Sequence, residues 1–209
     1  MINTENRVQT GLVGIILIVL ITLFISCDPG DGGDSNDDTN NYEWTHPGSL
    51  SDNISLDGQN AVNPQVAMDD NGNAIITWEQ EVVSNFPRIF MSEFRNGVWT
   101  HPENLDDCIS PDEDSAFAHK PQVAMDNNGD AIIVWVQGGL PEHQIFKSEY
   151  RNGVWAHPGS LDDHISPDES PNSGGTIQPQ VAMDSNGNAI ITWYQGDGNV
   201  FQIFKSEYR

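Results

Sequence analysis

Two short runs of carboxylates, Asp106, Asp107, Asp112, Glu113 and Asp114, then Asp162, Asp163, Asp168 and Glu169, are the densest groups of potential chemistry in the sequence. Hard carboxylate oxygens suit Ca²⁺, and two carboxyl groups held about 5 to 9.5 Å apart suit acid–base cleavage of a glycosidic bond. A second oxygen set recurs in a turn: Asp69 and Asn71, then Asp126, Asn128 and Asp130, then Asp184 and Asn186. These turns echo the start of a Ca²⁺-binding loop without its distal Glu, and an Asp-capped hairpin explains them equally well. Ca²⁺ is the one cofactor the sequence offers, with solvated acidic loops as the alternative. His46, His101 and His157 each precede a proline at one repeat position, which reads as structural, and Cys108 gives way to Asn53 and His164 in the other copies. There is no Ser/His/Asp set, no Cys/His metal spacing and no phosphate-binding glycine loop, so no catalytic residue is assigned. The expectation is a chain that is not an enzyme.

Charge narrows the partners. Among 209 residues, 31 Asp and Glu face 8 Lys and Arg, a formal charge of −23. Phosphate binding needs clustered basic side chains, so nucleic acid is excluded as a partner.

The elements that must position these groups are written as a repeat. Pro64-Gln65-Val66-Ala67-Met68-Asp69 returns at Pro121–Asp126 and Pro179–Asp184, at intervals of 57 and 58 residues. After it come an Asn-Gly turn and an apolar run ending in Trp78, Trp135 or Trp193. Then follow Ile89–Arg95, Ile145–Arg151 and Ile203–Arg209, and a second Asn-Gly turn at Asn96-Gly97 and Asn152-Gly153. Short β-branched and aromatic runs punctuated by Asn-Gly predict antiparallel hairpins, four strands to a unit. In Ala131–Val136 both strand faces are apolar, which predicts a sheet covered on both sides. The expected fold is all-β, a β-propeller-like array of three four-stranded antiparallel blades, as an open arc or part of an oligomeric ring. Repeats run over about 64–105, 121–161 and 179–209. Residues 43–50, with Trp44-Thr45-His46-Pro47 copying Trp99-Thr100-His101-Pro102, are expected to supply a fourth strand. Three blades are too few to close a ring, so a homo-oligomer is expected.

The N-terminal segment carries a different message. Arg7 precedes the apolar stretch Leu12–Ile25, which has signal-peptide length, and Phe24-Ile25-Ser26-Cys27 follows. This resembles the lipobox of bacterial lipoproteins. The resemblance implies a signal peptide over 1–26, lipidation of Cys27 and a chain anchored to the membrane on the exported side of the bacterial cell envelope. Residues 27–42, rich in Asp, Gly and Asn, read as a solvated tether before a domain over 43–209.

Through the PQVAMDxNGNAIITW and IFKSEYRNGVW segments the chain resembles bacterial repeat lipoproteins grouped with sialidase-like (Asp-box, BNR-type) β-propeller proteins. The resemblance implies the architecture. It brings no catalytic set, because Arg95, Arg151 and Arg209 hold one repeated position and the Asp-box pattern itself is not present. The dissimilar loops that leave the sheets opposite the Asn-Gly turns are the expected binding face, with Asp106, Asp107, Asp112, Glu113, Asp162, Asp163, Asp168 and Glu169 as its candidates. Three functions are therefore carried: a cell-envelope interaction module for a protein or glycan ligand, a hydrolase or lyase of extracellular polysaccharide, and a structural or vestigial repeat protein.

Overall fold

The computed structural model describes residues 43–83, 86–112, 116–139, 143–168, 178–196 and 199–209. Cys27, the tether, Glu113 and Glu169 lie outside the described residues. Residues 46–209 form one compact unit, described here. The first sheet runs β1 (Ala61–Met68), β2 (Ala74–Val83), β3 (Phe86–Arg95) and β4 (Val98–Thr100), each antiparallel to the next. The second repeats this as β5 (Phe117–Met125), β6 (Ala131–Gly138), β7 (Gln144–Arg151) and β8 (Val154–Ala156). The third contains β9 (Gln180–Met183), β10 (Ala189–Gly196) and β11 (Phe201–Tyr208). The all-β, propeller-like array of separate antiparallel sheets is the one its sequence predicts.

The hairpin between β3 and β4 shows why Asn-Gly is needed there. Asn96 and Gly97 take φ of 53° and 81°, the left-handed pair of a two-residue turn whose twist matches its strands. Asn152-Gly153 does the same at 52° and 84°.

Packing between sheets follows from the two-residue period of a strand. On β6, Ile133 and Trp135 face the first sheet with Ile75, Ile89 and Phe146, while Ile132, Val134 and Val136 face the third with Ile191 and Trp193. Every residue of β6 is buried. Burial of both faces, expected from its apolar run, is therefore what makes the second sheet the centre of the array.

A second repeated device pins the loops that enter each sheet. Trp78, Trp135 and Trp193 each donate their indole N–H to the Oε1 of Gln80, Gln137 and Gln195, at 3.0, 3.0 and 3.1 Å. Each Gln then donates Nε2 to a loop carbonyl, of Leu56, Pro111 or Pro167, at 2.7, 2.7 and 2.9 Å. A buried indole and a buried amide are thus satisfied together.

One expectation is corrected. Residues 43–50 form no strand, so the third sheet has three strands among the described residues and its outer strand, β11, has β10 as its one strand partner. The physical reason is connectivity. β4 and β8 are only three residues long and are held by a tight hairpin to the strand before them. Glu43–Thr45 has no such hairpin to an edge, and the residues after it turn instead, with the amides of Gly48 and Ser49 donating to Asp52 Oδ2 at 2.7 and 3.1 Å.

Candidate functional site

The acidic loops are occupied with their own folding. Asp107 Oδ2 accepts from the amides of Glu103 and Asn104 at 2.7 and 3.0 Å, closing a capping box on the short 3₁₀ turn Leu105–Asp107. Asp163 accepts from Gly159 and Ser160 in the same way at Leu161–Asp163. Beyond each turn an Ile-Ser pair docks on the neighbouring strand: Ile109 N–H donates to Ile89 O at 2.8 Å, and Ile89 N–H to Ser110 Oγ at 3.1 Å. Ile165 and Ser166 repeat both bonds on Ile145, at 2.8 and 3.0 Å. Asp112 pairs with the buried Arg88 at 2.9 Å, and Asp168 with His164 at 3.0 Å. Asp106 and Asp162 sit exposed in the first turn of their 3₁₀ segments. Loops that looked dissimilar in sequence are therefore one repeated capping structure, and it does not gather its carboxylates around a cleft among the described residues.

The turn aspartates behave similarly. Asp69 Oδ1 accepts from the amides of Asn71 and Asn73 at 2.9 and 2.8 Å, and Asp126 and Asp184 repeat the pattern. These bonds hold the carboxyls of Asp69 and Asp184 below the usual carboxylate range, against some burial. Among the described residues no three Asp, Glu, His or Cys side chains stand together as a metal site. The capped hairpin, the alternative explanation of this turn, is the arrangement present.

The recurring histidines are placed for structure. His101 and His157 meet Ser92 and Ser148 Oγ at 2.8 Å, tying the chain after β4 and β8 back to the preceding strand. Burial pushes the His157 imidazole down, towards the neutral form. His119 and His143, with rings 6.3 Å apart, are both pushed down by burial, which Glu79 opposes at His119. Burial, aided by Asp112, pushes the Cys108 thiol up, away from a reactive thiolate.

A pocket of about 550 Å³ opens at the other end of the sheets, where the Asn-Gly turns of the first and second units meet. The first unit contributes Asn73, Arg95 and Asn96; the second contributes Asn128, Asp130, Tyr150, Asn152 and Gly153. Arg95 organises it. Its guanidinium lies 3.8 Å over the Tyr150 ring, pairs through Nε with Glu93, and keeps a buried Nη2 with no hydrogen-bond partner. Trp155 of the second sheet donates to Glu93 Oε2 at 2.9 Å, so the ion pair is fastened from both sides of the seam. Gly129 leaves the room: a Cβ there would stand 3.0 Å from Arg95 Nη1, at a φ of +84°. Asp130 is oriented by Arg151 Nη1 at 3.1 Å. Arg151 repeats the construction over Tyr208 at 4.6 Å, again with a buried and unpartnered Nη2.

Of the residues singled out in the sequence, Asn128 and Asp130 thus enter the pocket. Arg95, Asn96, Tyr150 and Asn152 were not candidates, although the repetition of Arg beside an aromatic residue at 94–95, 150–151 and 208–209 was the available signal.

No known family's model matches the chain and no curated protein matches it, so neither the lipoprotein nor the sialidase-like resemblance gains a sequence match. Solved structures give partial matches. An endo-arabinase from Bacteroides thetaiotaomicron VPI-5482 is 12% identical with a TM-score of 0.45, over 75% of this chain and 58% of that one. A polysaccharide lyase, Uly1, is 12% identical with a TM-score of 0.47, over 69% and 37%. A fucose lectin from Kordia zhangzhouensis is 17% identical with a TM-score of 0.40, over 70% and 96%. The chain thus spans little more than half of the arabinase and little more than a third of the lyase. The expectation of a chain that is not an enzyme is corrected: the solved structures it matches include an endo-arabinase and a polysaccharide lyase.

Proposed function

We propose that this chain recognises carbohydrate, and does so in the pocket between its first two sheets. The observation that supports this is the lining. Four side-chain amides, Asn73, Asn96, Asn128 and Asn152, line the pocket with Arg95 and the carboxylate of Asp130, the Nδ2 groups of Asn73 and Asn128 being already bonded to Asp69 and Asp126. An amide donates and accepts at once, as a sugar hydroxyl does, and the Asp130 carboxylate in the same lining adds an acceptor for a further hydroxyl. Burial of a few such hydrogen bonds in a polar cleft, with the Tyr150 face already covered by Arg95, gives modest affinity for each saccharide unit. Asp130 is the carboxylate in the lining and the group that would carry a proton if a bound chain were cleaved.

Asn152→Gly tests the site cleanly, because the turn position at φ 52° accepts glycine while the amide is removed. Retardation of the protein in gels cast with a panel of neutral and acidic polysaccharides is expected for the unsubstituted chain. For the variant, affinity should fall about 5- to 10-fold, the worth of one or two hydrogen bonds, with an unchanged thermal midpoint. Retention of no polysaccharide, or equal retention of both proteins, overturns the reading. Measuring reducing and unsaturated ends released from the same panel, with Asp130→Asn as control, reads cleavage separately.

We also propose that the chain works on the exported side of a bacterial envelope, held by lipid on Cys27. Several acyl chains, at about 0.8 kcal/mol per buried methylene, hold a protein stably on a membrane. Expressed in a bacterium with labelled palmitate, the chain is expected to carry label in the membrane pellet, and Cys27→Ser to lose the label. An equally labelled Cys27→Ser chain contradicts the proposal.

A further inference from the structure

Both ends of the array expose the two halves of a seam that is closed inside it. On the side facing the preceding sheet, Val123 and Met125 of β5, and Val181 and Met183 of β9, pack into the inter-sheet cores. Their counterparts on β1, Val66 and Met68, are each 64% exposed. On the side facing the following sheet, Ile89 and Ile145 are fully buried, and their counterpart on β11, Ile203, is 78% exposed.

The polar fastenings are duplicated in the same way. Ile109-Ser110 and Ile165-Ser166 engage the backbone of Ile89 and Ile145. The first copy of this pair, Ile54-Ser55, has no sheet before it, and Ile54 is exposed. Trp155 donates to Glu93 of the sheet before it, whereas Trp99, its counterpart in the first sheet, is 41% exposed. The residue corresponding to Glu93 at the far end is Glu207, and Trp44, in the repeat position of Trp99 and Trp155, is 89% exposed.

We propose that a second copy of this chain covers both ends, head to tail. The β1 face of one copy packs on β10 and β11 of the other, burying Val66 and Met68 against Ile203. Ile54-Ser55 takes the backbone of Ile203 in the second copy, as Ile109-Ser110 takes Ile89. Residues 43–46 add along the outer edge of β11 as the fourth strand that the third sheet lacks, and Trp99 reaches Glu207. Complementarity is supplied by the repeat itself, since each contact copies one already made within the chain. A head-to-tail contact closes when the rotation completes a ring, and two copies of three sheets give six, within the four to eight of closed propellers.

The mass of the full chain in density-matched detergent, by sedimentation equilibrium, tests this. Two chains per particle are expected. Ile203→Asp and Val66→Asp alter exposed side chains at opposite ends, so each is expected to keep the far-ultraviolet spectrum and to give single chains. A single-chain mass for the unsubstituted protein overturns the proposal, and leaves the exposed ends to other repeats or partners. Dissociation by only one of the two substitutions overturns it as well, because a like-with-like contact uses one end only. A particle of more than two chains overturns the closed pair.

Discussion

Trp135→Ala is expected to lower the stability of the folded domain by about 3 to 5 kcal/mol, a large part of the roughly 5 to 15 kcal/mol that holds a typical domain together. Trp135 is fully buried in the core between the first two sheets and stacks on Phe146 with ring centroids 6.0 Å apart. Truncation removes that apolar surface, leaves a cavity that two opposed sheets cannot collapse into, and frees Gln137 Oε1 of its donor. The same substitution at Trp78 is expected to cost less, since Trp78 lies outside both inter-sheet clusters and its first sheet has no sheet before it. Urea unfolding followed by far-ultraviolet circular dichroism measures both, and equal losses would contradict the central position of the second sheet.

Gln137→Leu is the second large effect. The side chain is fully buried, and its replacement is close in volume, so packing changes little while two hydrogen bonds disappear. The indole N–H of Trp135 and the carbonyl of Pro111 are then left without partners away from water. At about 1 to 3 kcal/mol for each of the two stranded groups, the loss is expected to be about 2 to 6 kcal/mol in the same unfolding experiment. Gln80→Leu provides the comparison: Leu56, whose carbonyl Gln80 holds, is only half-buried, so water can replace the lost donor and the cost should be smaller. A Gln137→Leu protein as stable as the parent would show that this bond does not pin its loop.

The two results bear on function through the seam. Trp135 and its neighbours set the separation of the first two sheets, and the pocket at the turn end draws its lining from both. A change that loosens the seam should therefore weaken saccharide binding as well, whereas Asn152→Gly should weaken binding alone.

How much of this was legible beforehand depends on the range over which each feature is decided. The Asn-Gly hairpins, the antiparallel units and the double burial of β6 are local or periodic, and the sequence states them through turn residues and a two-residue alternation. The capping boxes at Asn104–Asp107 and Ser160–Asp163 are legible too, as a cap residue followed three later by an acid, although the same acids also suit a binding face. The Trp-x-Gln bonds and the Arg95–Tyr150 stack are not. The indole bond spans two residues, but the Gln side chain's bond to its loop and the Arg95–Tyr150 stack join residues some 25 to 60 positions apart, which only the tertiary fold brings together. The fourth strand differs for a related reason: residues 43–50 carry the right residue types, but pairing also needs the segment to be brought to an edge, which β4 and β8 owe to their hairpins and residues 43–50 do not have. Sequence by itself determined the repeated unit and its strands. Tertiary structure decided which faces meet, and so where a ligand could sit, because burial and pairing belong to the surface between units and not to any one of them.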